Sequence, residues 1–180
     1  ATVHVLSVVD RDSYSDQLAD IDQLVREQRS ALENQAKAAV TTIEEIIERE
    51  SEIPYQSGIR HGVPYKNILS YASDNDIDLI VMGSQGRAGL DRFLLGSVTE
   101  RVVQLSDVPV LTAPSSVIGQ EVTGYDSILL STDGSPAANA AVTSGMDIAD
   151  QLDATVHVLS VIRSGRGLPS LSDPARVQVE

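Results

Sequence analysis

The sequence predicts an α/β fold with a doubly wound, parallel, five-stranded sheet. Short apolar runs of strand length alternate with longer segments whose apolar residues recur at three- and four-residue steps, as in strand–helix–strand units. A glycine-rich loop follows one of these runs, at residues 83–97. The octapeptide ATVHVLSV occurs at residues 1–8 and again at 154–161, about one small domain apart. These observations predict a tandem repeat of one α/β unit, with the sequence beginning inside a domain.

Composition excludes several classes of protein. The 180 residues correspond to about one domain, and a hydrophobic content of 42% is sufficient for a packed core. A chain without cysteine has no disulfides, thiolate zinc sites or cysteine nucleophiles. No apolar run approaches the roughly 20 residues that span a membrane. We therefore expect a cytoplasmic protein that does not contact membranes.

The charge balance also argues against some partners. A formal net charge of −13 would repel nucleic acid and anionic lipid. Among the 13 basic residues only Lys37 and Lys66 are lysines, a bias typical of proteins from salt-accumulating halophiles. Concentrated salt shortens the Debye length to a few ångströms, which screens the self-repulsion of such a surface. The expectation is a halophilic protein, and an ordinary acidic mesophilic protein is the alternative.

The first half of the chain predicts two strands and two helical regions. Alternating apolar residues from Val3 predict a strand, and residues 53–60 predict another. The helical pattern between residues 18 and 47 fits either one very long helix or two segments joined near residues 26–30. A shorter helix begins after Pro64 and continues through residue 72. The long pattern places on its core-directed face Leu32, Ala36, Ala39, Ile43, Ile46 and Ile47.

The second half continues the alternation. DLIVMG at residues 78–83 predicts a parallel strand buried on both faces, because its apolar run is continuous. Residues 108–113 predict the next strand, in which Pro109 favours an edge position. Residues 127–132 predict a strand that is followed by a helix from Pro136 and by the repeated octapeptide. The helix after the glycine loop is expected to bury Val98, Val102, Val103 and Leu105.

The glycine-rich loop predicts a phosphate-binding site. Ligands of open α/β sheets lie beyond the carboxyl ends of the strands, which is where this loop starts. Gly83 and Gly86 allow tight turns and close approach of the backbone to a ligand. Gly96 and Ser97 begin a helix whose N–H groups can receive phosphate oxygens, and the Ser97 hydroxyl can add a donor. The orders GxxxxGK[ST] and GxGxxG are both absent, which disfavours P-loop and Rossmann sites.

Three charged side chains were considered as further ligand contacts. Arg87 and Arg92 could place guanidinium groups on phosphate oxygens, although solvent exposure explains them equally well. Asp133 ends an apolar strand just before a helix, where a carboxylate can accept hydrogen bonds from a base or ribose. A turn or helix-cap role is the competing interpretation of Asp133.

The spacing of the glycines resembles one protein family. The pattern starts at the last residue of DLIVMG. It consists of Gly83, a gap of two residues, Gly86, a gap of nine residues, and then Gly96 and Ser97. This pattern resembles the glycine signature of the ATP-binding branch of the universal stress protein family. TDGSP at residues 132–136 resembles the first-strand motif of that family. The resemblance implies an adenine nucleotide α-hydrolase-like sheet of order 3-2-1-4-5, usually in a homodimer that pairs through its last strand. ATP would bind between the glycine loop and the ends of the central strands.

The resemblance also assigns roles to individual residues. The backbone of Val8, or of Val161 in the other octapeptide, corresponds to the adenine contact. Asp133 corresponds to the aspartate beside the adenosine. Magnesium would accompany ATP and take its ligands mostly from phosphate and water. The ribose and phosphate contacts correspond to Gly83, Gly86, Gly96, Ser97 and the backbone of Val98.

Laid against the family pattern, the elements are permuted. Residues 1–114 correspond to strands two to five, residues 115–125 to a linker, and residues 126–163 to strand one, helix one and a repeated strand two. The chain is either a slice through a tandem pair or a single permuted domain, because the linker reaches roughly 40 Å at about 3.3 Å per residue and permits both. Residues 164–180 are expected to be disordered.

In either case strand one of the sheet must come from the C-terminal part, of the same molecule or of another one by strand swapping. Only one octapeptide can then occupy the second-strand position. The other copy would hang free, pair elsewhere or exchange between chains.

The sequence therefore predicts an ATP-binding module that acts as a nucleotide-dependent sensor or regulator in the stress response. One alternative is a dimerising protein-interaction module without functional nucleotide, and another is a slow ATPase. No residue is assigned a catalytic role; Asp91 could approach a γ-phosphate but is equally a capping or solvated residue. The three histidines, His4, His61 and His157, are expected to be structural and to hold no metal.

Overall fold

The computed structural model describes residues 1–10, 22–85, 95–114, 116 and 124–161, and every structural statement below concerns these residues. The chain forms two compact units, Ala1–Val117 and Ile118–Glu180. The elements in chain order are β1 (Val3–Val9), α1 (Asp22–Glu50), β2 (Tyr55–His61), α2 (Pro64–Asp74), β3 (Ile80–Gly83), α3 (Ser97–Leu105), β4 (Val110–Ala113), β5 (Ser127–Thr132), α4 (Pro136–Leu152) and β6 (Thr155–Ser160).

The described strands form three parallel pairs. β1 pairs with β2 and β3 with β4 in the first unit, and β5 pairs with β6 in the second. The alternation of parallel strands with helices confirms the α/β class, whereas the single five-stranded sheet and its order remain a prediction. Both octapeptides are strands, since β1 and β6 each have a partner. Which copy occupies the second-strand position of the predicted sheet stays a prediction.

Helix α1 is one continuous helix through the region where two segments were considered. Its buried residues are Ala36 and Val40, whereas Ala39, Ile43 and Ile46 are exposed. The prediction that these three face the core is therefore wrong. At 1.5 Å per residue the 29 residues of α1 extend about 44 Å, whereas a seven-residue strand such as β1 extends about 23 Å. The ends of α1 therefore extend past the strands it covers.

The core of the first unit lies where α2 and α3 meet β3. Ala72, Ile80 and Val102 are its buried residues. Val103 and Leu105 are exposed, contrary to the prediction, and Thr99 is buried instead. Thr99 and Val102, three residues apart, share the buried face of α3, and Val103 is rotated away from it. Leu105 is the last residue of the helix and lines an open cleft. Around this core pack Tyr65, Ile68, Leu69, Ile77, Met82, Val98, Val108 and Val110.

Strand β3 is covered on one face. Ile80 is buried and Met82 packs against the same cluster, whereas Val81, which points to the opposite face, is 63% exposed. Leu79 is also exposed. The prediction of burial on both faces is therefore wrong for these two residues, because α2 and α3 pack on the Ile80 side.

The second unit is a strand–helix–strand element. The Ser135 hydroxyl caps α4 by accepting a hydrogen bond from Ala138 N–H at 3.2 Å. Ala149 is the buried residue of α4, and the helix approaches β5 so closely that a Cβ at Gly145 would overlap Leu130 Cδ2. The absence of a side chain at Gly145 thus allows the close packing of α4 on β5.

Candidate functional site

The two ends of the glycine-rich loop are hydrogen-bonded to each other and to the sheet. Gly83 is the last residue of β3, and the next residue, Ser84, donates its N–H to Ala113 O of β4 at 2.8 Å. On the far side of the loop, Gly96 N–H donates to Ser84 O at 2.8 Å. The loop therefore starts and ends at the carboxyl end of β3, as the sequence predicts.

A buried hydroxyl joins β3 to α3. Thr99 Oγ1 donates a hydrogen bond to Gly83 O at 2.9 Å, and the Thr99 side chain is only 3% exposed. This contact fixes the start of α3 against the end of the strand. Thr99 is not among the residues predicted from the sequence; the available signal was a hydroxyl residue within the first turn of the helix that follows the glycine loop.

The N-terminus of α3 offers backbone donors. Gly96 occupies the N-cap with φ −61° and ψ 144°, and it has no side chain that could cap the helix. Ser97 is exposed and Val98 packs partly on the core, so the first-turn amides start beside Gly83. The amide of Gly96 itself is engaged by Ser84 O. Anion binding at this point would therefore use the N–H groups of Ser97 and Val98.

Two predicted loop contacts, Gly86 and Arg87, lie outside the described residues, as do Asp91 and Arg92. Their roles remain predictions. The predicted linker is described only at Ser116, Gly124 and Tyr125, and the predicted disordered tail lies wholly outside the described residues.

Val8 lies near the carboxyl end of β1, opposite Arg60 of β2 in the register. Val9 O accepts a hydrogen bond from Gly62 N–H at 2.9 Å, which places the peptide groups of Val9 toward β2. Because neighbouring residues of a parallel strand direct their peptide groups to opposite edges, those of Val8 point away from β2. This orientation suits the backbone contact predicted for Val8.

Asp133 follows β5 in the second unit, whereas the other described candidates belong to the first. Its Oδ1 accepts a hydrogen bond from Ser135 N–H at 2.9 Å. Hydrogen bonds from the side chain and then the backbone of Ser135 hold the pKa of Asp133 below its ordinary value. Gly134, between them, has φ +80°, which favours glycine. The hydrogen bonds from Ser135 fit the competing turn interpretation of Asp133, and they favour the ionised form of its carboxylate.

The described part of the first unit also contains an open cleft of about 470 Å³. It lies before β3, at the end opposite Gly83, so it does not coincide with the predicted crevice beyond the carboxyl ends of the strands. Its lining residues are Leu69, Ala72, Ser73, Asp76, Ile77, Asp78, Leu105, Ser106, Asp107 and Val108.

Among the described residues, no cluster of histidine and carboxylate side chains has the arrangement of a metal site. Within the same ranges, no helix combines the length and apolar character of a membrane span.

A sequence model of the universal stress protein family matches residues 1–114 and 124–178. The chain belongs to this family. The predicted membership of the family is thereby confirmed, whereas its ATP-binding branch and the permuted order stay predictions.

Curated relatives match over part of their length. Universal stress protein MJ0577 of Methanocaldococcus jannaschii is 35% identical over 97 residues, which are 52% of this chain and 60% of that protein. Universal stress protein YxiE of Bacillus subtilis is 39% identical over 72 residues, 37% of this chain and 49% of that protein. The chain thus spans about half of the relatives it matches.

Solved structures support the α/β fold of the family. Universal stress protein UspA from Lactobacillus plantarum is 29% identical with a TM-score of 0.55, over 62% of this chain and 77% of that chain. A universal stress protein from Archaeoglobus fulgidus matches 92% of this chain and 58% of that chain with a TM-score of 0.66. At 24% identity, the second likeness concerns the fold alone.

Proposed function

We propose that this universal stress protein binds ATP and acts as a nucleotide-dependent sensor or regulator in the stress response. The observation that supports this is the junction of β3 and α3. Gly83 ends the strand beside a helix that begins at Ser97 after the N-cap Gly96, and Thr99 ties the two elements together. A helix N-terminus held at the carboxyl end of a parallel strand is a favourable place for a phosphate group.

In this proposal the triphosphate lies over the loop. The amides of Ser97 and Val98 and the Ser97 hydroxyl donate to phosphate oxygens, while Gly83 and Gly86 let the backbone approach the ribose and phosphates. Arg87 supplies a guanidinium group to the outer phosphates. Magnesium binds with ATP through phosphate and water oxygens.

The adenosine end is proposed to lie at the other candidates. The peptide groups of Val8 contact the adenine, and the ionised Asp133 accepts hydrogen bonds from the ribose. This arrangement requires β5 to act as the central strand of a five-stranded sheet of order 3-2-1-4-5. ATP would then act by binding two conformational or assembly states with different affinity.

Titration calorimetry with ATP tests the proposal, after copurified nucleotide has been removed. The test variant is Gly83→Val, whose Cβ would lie 3.4 Å from Gln85 O, an ordinary contact. Gly58→Val is a matched control, because Gly58 also lies in a strand and a Cβ there meets nothing within 4 Å. We expect Gly83→Val to raise the Kd for ATP at least about tenfold and Gly58→Val to leave it within about twofold.

The proposal is rejected if the stripped parent protein gives no binding heat, or if both glycine variants weaken ATP equally. Release of inorganic phosphate, measured on the same samples, separates a slow ATPase from a binding module.

A further inference from the structure

The open cleft before β3 lies between two turns of similar construction. One turn joins α2 to β3 and the other joins α3 to β4, and the two strands form one parallel pair. The C-termini of both helices therefore meet at the same end of this pair. We call this space, which is lined by residues 69, 72–73, 76–78 and 105–108, the helix-end cleft.

The turn between α2 and β3 holds an apolar residue between two aspartates. Ile77 N–H donates to Ala72 O at 3.0 Å, and Asp76 has the left-handed φ of +50° that this type of helix end requires. The turn directs Ile77 onto the core cluster that contains Ala72. Asp76 and Asp78, on either side of Ile77, are exposed. The turn therefore places carboxylates at the margin of an apolar floor.

The turn between α3 and β4 repeats this arrangement. Ser106 N–H donates to Val102 O at 2.9 Å, and the Ser106 hydroxyl donates to Val108 O at 2.8 Å and accepts from Val108 N–H at 3.2 Å. Val108 packs on the same core cluster, whereas Asp107 is exposed. Hydrogen bonds thus hold both turns in place before a ligand binds, which reduces the entropic cost of binding.

The electrostatic field in the helix-end cleft favours a cation. Asp76, Asp78 and Asp107 line it, and none of its described lining residues is basic. The macrodipoles of α2 and α3 add partial negative charge, because the cleft lies at the C-termini of both helices. In both helices, as the structure describes them, the last turn has no basic residue. Within the described residues, none of the three carboxylates has a hydrogen-bonded or ion-paired partner.

The floor of the cleft favours an organic cation over a metal ion. Leu69, Ala72 and Leu105 contribute apolar surface, and Leu105 is 54% exposed. In the described part of the chain, no three carboxylate or histidine side chains are arranged to bind a metal ion. The volume of about 470 Å³ lies within the usual range of small-molecule sites, about 300–1,000 Å³. The ligand that matches this surface combines separated positive charges with an aliphatic chain.

We propose that the helix-end cleft binds a linear aliphatic polyamine. One ammonium group contacts Asp76 and Asp78, and another contacts Asp107. The methylene chain between them covers the apolar floor. Because the carboxylates come from both turns, a ligand with two separated ammonium groups contacts both turns, and a ligand with one ammonium group contacts only one. The cleft lies at the end of β3 opposite the glycine-rich loop, so this inference does not depend on the proposed nucleotide site.

Amide NMR titration of the full chain tests the site. The probes are spermidine, putrescine, butylamine and magnesium chloride, each added at neutral pH and constant ionic strength. Putrescine and butylamine have the same aliphatic chain and differ by one ammonium group. We expect saturable shifts at the amides of Ser73, Ile77 and Ser106, which line the cleft. Putrescine should bind at least about threefold more tightly than butylamine, because it forms a second exposed ion pair.

Two pairs of matched variants separate the contributions of charge and apolar contact. Asp107→Asn removes a carboxylate of the cleft, and Asp74→Asn removes one at the end of α2 that does not line it. We expect Asp107→Asn to raise the Kd for spermidine about three- to fivefold and Asp74→Asn to change it less than about twofold. Leu105→Ala should raise the Kd at least about twofold, whereas Leu111→Ala, at a 52% exposed residue outside the cleft, should leave it unchanged.

The proposal is overturned if the amines give no saturable shifts at the lining amides, or if putrescine binds no more tightly than butylamine. Magnesium that binds at the same amides as tightly as putrescine would also overturn it, since negative charge alone would then explain the binding. Equal effects of Asp107→Asn and Asp74→Asn would have the same consequence. ATP titration of Asp107→Asn should match that of the parent, so failure of the polyamine site and failure of the proposed function are distinguishable.

Discussion

The hydrogen bond from Thr99 to Gly83 gives the sharpest test of how the candidate site is held. Thr99→Val keeps the shape of the side chain and removes the hydroxyl that lies 2.9 Å from Gly83 O. Thr99 is buried but Gly83 is exposed, so the carbonyl can be hydrated when the hydroxyl is removed, and the typical net value of a hydrogen bond, about 0.5–1.5 kcal/mol, applies. We expect the free energy of opening at this site to fall by about that amount, which is a factor of about 2 to 13 in the opening equilibrium.

Because the chain contains two compact units, whole-chain denaturation would mix their transitions. Native-state hydrogen exchange at the amides of Ile80 and Val102 reports on the first unit alone. Thr42→Val is the matched control, since Thr42 donates to Ala38 O at 2.9 Å on the exposed side of α1. That change should stay within about 0.5 kcal/mol. If Thr99→Val accelerates exchange no more than Thr42→Val, the hydroxyl does not hold β3 to α3.

Two further predictions concern hydrogen bonds that shift a pKa, one at the carboxylate of Asp133 and one at the phenol of Tyr55. Ser135→Ala should raise the pKa of Asp133 and weaken the cap of α4 by about 1 kcal/mol, measured by NMR titration and by exchange in the second unit. The pKa of Asp133 is lowered in the folded state, so the stabilisation by its ionised carboxylate is present above the unfolded pKa and is lost as pH falls through the folded pKa. If the titration of Asp133 is unchanged in Ser135→Ala, Ser135 is not the cause of the lowered pKa. The Tyr55 hydroxyl donates a hydrogen bond to Glu48 Oε1 at 2.6 Å, which raises the pKa of the phenol. Glu48→Ala should therefore lower the pKa of Tyr55 more than Glu44→Ala does. The pKa is measured by absorbance titration, with Tyr55→Phe identifying the signal of this tyrosine. Here the stabilisation is present below the unfolded pKa and is lost as pH rises through the folded value, and equal effects of the two alanine variants would contradict the hydrogen bond as the main cause.

The local elements were predictable because their signals are local. Strand β5 has the predicted bounds, residues 127–132, and α4 begins at Pro136 as the turn sequence indicates. The start of α3 after Gly96 was likewise visible, since a glycine followed by a helical pattern is a short-range signal. Backbone propensity and capping are settled within a few residues of the chain, so sequence alone reports them.

Features that depend on distant neighbours were not predictable. The apolar stripe of α1 continues to Ile43 and Ile46, but burial needs a strand beneath the helix, and α1 is longer than the strands it covers. The role of Thr99 likewise depends on the position of Gly83, far away in sequence. Helical periodicity identifies a face of a helix, and only the tertiary structure determines how much of that face is covered.

The repeated octapeptide shows, within one molecule, the difference between what local sequence determines and what distant neighbours determine. Both copies form strands, as identical local sequence requires, yet Val5 is partly buried whereas its counterpart Val158 is 63% exposed. The difference comes entirely from the neighbours, because every side chain of the two strands is the same. The candidate site has the same division: Gly83 and Ser97 lie in one stretch of sequence, whereas Asp133 follows β5 in the second unit, so a site that combined all three would depend on contacts that no single stretch of sequence specifies.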